Sequence, residues 1–336
     1  MKNKITIQDI ADRCKVSKAC VSRYLNNGYV SQEKGELIQK VIEETGFEQN
    51  FFAKRLKQSQ SHLIGLTFSR LDSVTVGRTV EGMMEILEEH GYQMLIMVSR
   101  LSEKRELEQL QRLAHQGVDG IVMGCMGIKQ SHVNMVASLS IPVLFSGQRN
   151  PKVPYIKLND YKAGRMCADY LYDMGHRDIL FLGVSENDLA VGIERKTGFF
   201  DAFKSKQEKV RLSYFETDFQ FKHTLTKLKD IHIYSHTAIV GATDKIAIAA
   251  MRYLLHKGYR IPDDISIMGI GGYDIGEVYV PSLTTISFDD FEMGRVLGST
   301  ILALIRKESI NEKAGDLVSL TLMERESVKR LNTADE

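Results

Sequence analysis

The residues best suited to chemistry near the start of the chain sit in "VSKACVSRYLNN", Val16 to Asn27. Arg23 carries paired N–H donors that match the acceptors of a guanine edge or the oxygens of a phosphate, and Lys18 can reach a base edge. Ser17, Ser22 and Asn26 can bond phosphate oxygens. Helical spacing turns Val21, Tyr24 and Leu25 inward and leaves Lys18, Ala19, Ser22 and Arg23 on one outward face. The same pattern also fits a small structural helical bundle whose polar face is only solvated. A second set lies in "SRLDSVT", residues 69–75, directly after the apolar run "LIGLTF". That places Arg70 and Asp72 at the carboxyl end of a strand, where open α/β sheets bind small molecules. A guanidinium there suits a phosphate; the alternative is a surface ion pair of Arg70 with Asp72 or Glu81.

Other reactive types are dispersed. Cys14, Cys20, Cys125 and Cys167 show no metal-ligand spacing, and His62, His115 and His176 pair with no Cys or Ser signature. No catalytic residue, metal site or cofactor is therefore expected. "GIGGYD", residues 269–274, lacks the third glycine and the following helix of a dinucleotide fingerprint and reads as a turn.

The elements that must position these residues fall into two regimes. Thr6 with Asp9 forms a capping box ahead of Ile7, Ile10 and Ala11, so a first helix starts there. Ser17 caps a second helix, and Ser31 caps a third that Gly46 closes. Two short helices joined by about four residues, with Ala11 and Val21 at their crossing, match a helix-turn-helix. "NFFAKRLKQSQS", residues 50–61, reads as a basic linker. After His62 apolar strands alternate with amphipathic helices: "LIGLTF", "YQMLIMV", "DGIVMG" and "PVLFSG", then "DILFLGV", "RLSYFE", "AIVGAT" and "ISIMGI". Such alternation means two successive doubly wound parallel sheets with a cleft between them.

Composition agrees with that plan. The chain has 336 residues, 43% of them hydrophobic, and a net charge of +1. Residues 1–60 hold eleven Lys and Arg against seven Asp and Glu, a net +4, while the rest holds 33 against 36, a net −3. A basic head on a mildly acidic body points the head at a polyanion. Neither a membrane span nor a secretory h-region is present in the sequence, so a cytoplasmic location is expected.

Several motifs, in order, resemble the lactose and galactose repressor family of bacterial transcription regulators. They are "ITIQDIADRCKVSKACVSRYLNN", "VSQEKGELIQKVIEETGFEQN", "FFAKRLKQSQSHLIGL", "GHRDILFLG", "ERKTGFFDAF", "GATDKIAIAAMRYLLHKGYRIPDDISIMGI" and "PSLTTISFDDFEMGRVL". The resemblance implies a helix-turn-helix domain at 1–49 and a hinge helix at 50–61. The core, 62–336, would be a two-lobed periplasmic-binding-protein-like unit of α/β class. Its first lobe would take about 62–161 and 290–320, and its second about 162–289 and 321–330. It also implies a DNA-binding set of Thr6, Ser17, Lys18, Ala19, Ser22, Arg23, Asn26, Asn50 and Leu56. Lys18 and Ala19 would select bases, and Leu56 would wedge open a minor-groove step, unless it only packs the head on the body. Cys20 stands where a threonine is usual, and Gln49 where a proline is.

For the cleft, the resemblance implies an effector set of Arg70, Asp72, Gln148, Arg195, Thr243, Asp244 and Asp274. Thr243 replaces the usual asparagine, and Gly271 stands where relatives carry an aspartate, which Asp274 would replace from three residues on. Within the family the chain resembles trehalose-repressor-like members, which implies trehalose 6-phosphate or a similar disaccharide phosphate as effector, clamped by Arg70 and Arg195. A neutral-sugar inducer, a corepressor-type ligand, and a sugar-binding protein without regulatory role are the alternatives. The implied assembly is a homodimer that binds a near-palindromic operator and releases it on effector binding. "VKRLNTADE" carries no leucine heptad, so a dimer rather than a tetramer is expected.

Overall fold

In the computed structural model the described residues are 5–25, 28–47, 60–70, 73–231, 235–311 and 313–331. They separate into two compact units, within residues 1–61 and 62–336. Asn26, Asn50, Leu56 and Asp72, all expected site residues, lie outside the described residues.

The first unit is built by local signals. Helix α1 (Ile7–Arg13) begins in a complete capping box: the Thr6 hydroxyl accepts from the Asp9 backbone N–H and the Asp9 carboxylate accepts from that of Thr6. Helix α2 (Lys18–Leu25) follows a tight turn in which Lys15 takes a φ of 53°. Ser17 caps it, its Oγ accepting from Cys20 N at 3.2 Å. Helix α3 (Gln32–Thr45) ends at Gly46, whose φ of 61° is the left-handed conformation a Schellman-type stop needs. Ser31 occupies the N-cap position of α3, but its side chain makes no capping bond, contrary to expectation. Ile10, Ala11, Cys14, Val21, Ile38, Val41 and Phe47 form the core.

The second unit has two lobes. The first lobe's sheet contains β1 (Leu63–Phe68), β2 (Gln93–Val98), β3 (Gly120–Gly124), β4 (Val143–Ser146) and β5 (Tyr155–Ile156), in the order β2-β1-β3-β4-β5 and parallel throughout. The second lobe's sheet contains β6 (Asp178–Gly183), β7 (Arg211–Glu216), β8 (Ala238–Gly241), β9 (Ser266–Ile270), β10 (Thr284–Phe288) and β11 (Leu320–Met323), in the order β11-β10-β9-β8-β6-β7. Here β11 runs antiparallel to β10, where the sequence reading expects parallel strands. The chain enters β11 on its return from the first lobe, so no crossover helix has to connect it to its neighbour. In both sheets the strand order reverses beside the strand that opens the lobe, and the loops leaving the strands at that switch point face a cleft.

Two long helices cover the first sheet, α4 (Val74–Glu89) and α12 (Asp290–Ile305). Met83, Ile86 and Leu87 pack with Met293, Leu297 and Ile301 against Leu66 and Val122. Their crossing is close because glycines sit at it: a Cβ on Gly82 would lie 1.9 Å from the Phe291 carbonyl oxygen, and one on Gly294 2.1 Å from that of Thr79. Gly82→Ala is therefore expected to lower stability by about 1–3 kcal/mol through overpacking, against the roughly 1 kcal/mol that alanine gains within a helix. Urea unfolding of the two proteins measures it, and an unchanged or higher midpoint would show that the helices can separate freely.

Candidate functional site: an exposed recognition helix and a buried cleft

On the first unit, α2 gives Val21 to the core and leaves Lys18, Ala19 and Arg23 exposed, with Ser22 half-buried. Tyr24 ties α2 to α3 through a 2.8 Å bond from its hydroxyl to Gln39 Oε1. Thr6, expected in the DNA-binding set, has its hydroxyl engaged with Asp9 in the capping box. Ser17 uses one lone pair on Cys20 N and keeps its hydroxyl hydrogen for another acceptor.

The second unit's cleft holds two adjoining cavities of about 260 and 150 Å³. Arg70 reaches the rim after β1, with its guanidinium 5.2 Å from the centre of the Phe219 ring. Gln148 follows β4 and lines the larger cavity, buried. Arg195 comes from a π-helical turn, Leu189–Arg195, that Asp188 caps at 2.9 Å on Val191 N. π-helical segments are rare and concentrate at functional sites.

Arg195 is present in the cleft, but its environment differs from the expected phosphate clamp. Its Nε donates to Asp160 Oδ1 at 2.9 Å, Nη2 donates to the same oxygen, and Nη1 donates to the Ala242 carbonyl. Both members of the pair are buried, and both line the cavity. Its charge is thus countered inside the protein, and two N–H hydrogens remain, suited to sugar hydroxyl oxygens. Asp188 and Asp290 line the same cavity from opposite lobes, so carboxylates outnumber guanidiniums there. Burial raises the Asp188 carboxyl above its ordinary value and pushes that of Asp290 up to about 7.

Two expected effector residues do not line the cleft. Asp244, fully buried at the start of helix α10 (Asp244–His256), accepts from Tyr273 N at 2.6 Å and from the Thr285 hydroxyl. It holds the β9–β10 connection in place, and burial pushes its carboxyl up to about 6. Asp274 is exposed and pairs with Arg78 of α4, which also donates to the Gly272 carbonyl at 3.3 Å. Gly271 and Gly272, at φ of 155° and 66°, turn the chain away from the cavity before Asp274, so this carboxylate ties the lobes together instead of facing a ligand. Helix α11 (Ile275–Val278), a single turn, does follow the glycines. Thr243 caps α10 through a 3.4 Å bond from Ile246 N and lines the smaller cavity.

Asp160, Asp188 and Asp290 are cleft residues that sequence reasoning missed. Asp160 and Asp290 are each the first residue of a helix, α7 (Asp160–Asp173) or α12, after β5 or β10, and Asp188 caps the turn after β6. Acidic residues at strand-to-helix junctions were the available signal.

A DNA-reading helix-turn-helix and a two-lobed unit with a buried polar cleft, carried on one chain, define an effector-responsive transcription regulator. A family model described as bacterial regulatory proteins, lacI family, matches residues 6–50, and one described as periplasmic binding protein-like domain matches residues 168–328. The chain belongs to the lacI family of bacterial regulatory proteins. It is 32% identical to the sucrose operon repressor of Staphylococcus xylosus over 93% of this chain and 97% of that one. It is 28% identical to the HTH-type transcriptional regulator TreR of Salmonella typhimurium over 91% of this chain and 95% of the regulator. Its fold matches a lac repressor dimer bound to operator and the anti-inducer ONPF with a TM-score of 0.86 and 23% identity, covering 97% of this chain and 100% of that one.

Proposed function

We propose that this protein represses a carbohydrate-utilisation operon as a homodimer in the cytoplasm, reading two half-sites of a near-palindromic operator and releasing it when a carbohydrate enters the cleft. The observation that carries the reading is the division of labour in α2, which commits Val21 to the core and exposes Lys18, Ala19 and Arg23, in a chain that also holds a polar cleft. Lys18 and Ala19 select bases, and Arg23 adds a bidentate contact. The relatives named for sucrose and TreR support a sugar as effector. A disaccharide phosphate such as trehalose 6-phosphate would have to be held mainly by Arg70, because Asp160 already counters Arg195. The lobes meet through Arg78 with Asp274 and through Gln148 Nε2 with Asp188 at 3.4 Å, so a ligand that alters lobe closure acts on contacts already in place.

Selection of random duplex DNA by the full-length protein is the test. A near-palindrome is expected to emerge, and Arg23→Ala should weaken binding by about 1–3 kcal/mol per half-site, roughly 5- to 150-fold, with relaxed preference at one base pair per half-site. Binding should fall steeply with salt, and an effector should lower operator affinity about 5–150-fold. No enriched sequence would overturn the DNA-reading assignment; affinity that rises with effector would reverse its sign.

A further inference from the structure

Two oxygens on the first lobe's wall of the cleft are buried with no hydrogen-bond partner among the described residues, Oε1 of Gln148 and Oδ2 of Asp290. The residues are 4% and 3% exposed, and both line the larger cavity. The orientation of Gln148 follows from its neighbour: Nε2 must face the Asp188 carboxylate, because the flipped amide would set oxygen against oxygen. Buried acceptors without donors are costly and are therefore rare unless something else is to fill them.

We infer that Asp290 selects the effector, its Oδ2 and the Gln148 Oε1 each accepting a hydroxyl from an uncharged polyol, so that a sugar is favoured over its phosphate. The inference rests on the reading of the cleft as a carbohydrate site. An ionised carboxylate and an amide oxygen only accept, and a fully ionised phosphate only accepts as well, so a phosphate group seated at these two oxygens would meet unmatched partners where sugar hydroxyls would not. The charged groups facing Asp290 are Arg78 of α4, Arg195 of the π-helical turn, Asp160 of α7 and its own neighbour Asp289. Asp188, Arg70, Lys245 and Tyr273 lie further round the two cavities. Arg78 is held by Asp274 and Arg195 by Asp160, so burial still dominates and keeps the Asp290 carboxyl near 7.

A sign follows. A hydroxyl that donates to Asp290 favours the ionised form, so binding releases a proton and affinity rises with pH; a bound anion would do the reverse. The experiment is calorimetric titration of the full-length protein with sucrose, trehalose, maltose, glucose and their 6-phosphates at pH 6 and pH 8. A neutral sugar should bind, about tenfold more tightly at pH 8. Asp290→Asn should weaken that sugar at least tenfold at pH 8 and flatten the pH dependence. Gln148→Met should weaken it while leaving the pH dependence intact, which separates a lost acceptor from a damaged fold. Binding of a 6-phosphate alone, affinity that falls with pH, or wild-type binding by Asp290→Asn would each overturn the inference and leave the carbohydrate reading standing. Binding of none of the eight compounds to the wild-type protein would overturn both.

Discussion

Arg195→Ala is expected to destabilise the second unit by about 3–5 kcal/mol, because it strips a buried carboxylate of its counter-charge. Asp160 is only 4% exposed and receives both the Nε and the Nη2 of Arg195. The substitution also leaves the Ala242 carbonyl without its guanidinium donor and removes a cation placed 5.3 Å from the Phe288 ring centre. A surface pair would cost a fraction of this, since water would re-solvate the orphaned partner. The double replacement Arg195→Met with Asp160→Leu separates charge imbalance from loss of volume. It should recover most of the stability, since exchanging a whole buried pair for apolar groups is often near neutral, yet effector binding should stay lost in both variants. Urea unfolding followed by fluorescence or circular dichroism, alongside titration with sugars, reads both quantities. A loss below about 1 kcal/mol for Arg195→Ala would mean that Asp160 reaches water, and the description of the cleft as a desolvated site would fall with it.

What the sequence allowed and what it hid divide by range. The capping box of Thr6 and Asp9, the Ser17 cap and the left-handed Gly46 are set by residues within a few positions of one another, and each appears as expected. The eight strands read from apolar runs are present, most plainly the central ones, because a fully buried parallel strand is apolar at nearly every position, as in "AIVG" of β8 and "SIMGI" of β9. The short β5 and the edge strand β11, half-exposed, carry no such signature. The cleft was half legible. Arg70, Gln148, Arg195 and Thr243 line it, but the partner that changes the meaning of Arg195 lies 35 positions away, and no local pattern links the two. Asp244 and Asp274 were misplaced for one shared reason. The path of the Gly271–Gly272 turn decides which carboxylate points inward, and it brings Tyr273 N to Asp244 while swinging Asp274 out to Arg78.

Asp290→Asn is expected to stabilise the effector-free protein, and increasingly so as pH rises. Burial pushes the Asp290 carboxyl up to about 7, whereas an unfolded aspartate titrates near 3.8. A group raised on folding contributes its full stability below the unfolded value and loses it as pH climbs through the folded value. Between pH 5 and pH 7 the unfolded chain has already released this proton and the folded one holds it, so the native state weakens by about 1.4 kcal/mol per pH unit. Asparagine carries no such proton, and the variant's advantage should therefore grow by about 2–3 kcal/mol from pH 5 to pH 8. His176 works in the opposite direction: fully buried between Thr237 and the Lys329 carbonyl, it is lowered to about 4, so stability is lost as pH falls from 6.5 towards that value. Asp244 is raised to about 6 and is lost upward like Asp290. Both residues are common to the two proteins and cancel in the difference, which is why chemical denaturation of the pair at several pH values isolates one carboxyl. A difference that stays constant with pH would show that Asp290 is already ionised in the resting cleft. A growing difference, together with weakened sugar binding by the same variant, would mean that the fold buries a carboxyl whose ionised form is satisfied by a hydroxyl-bearing effector, at the expense of resting stability.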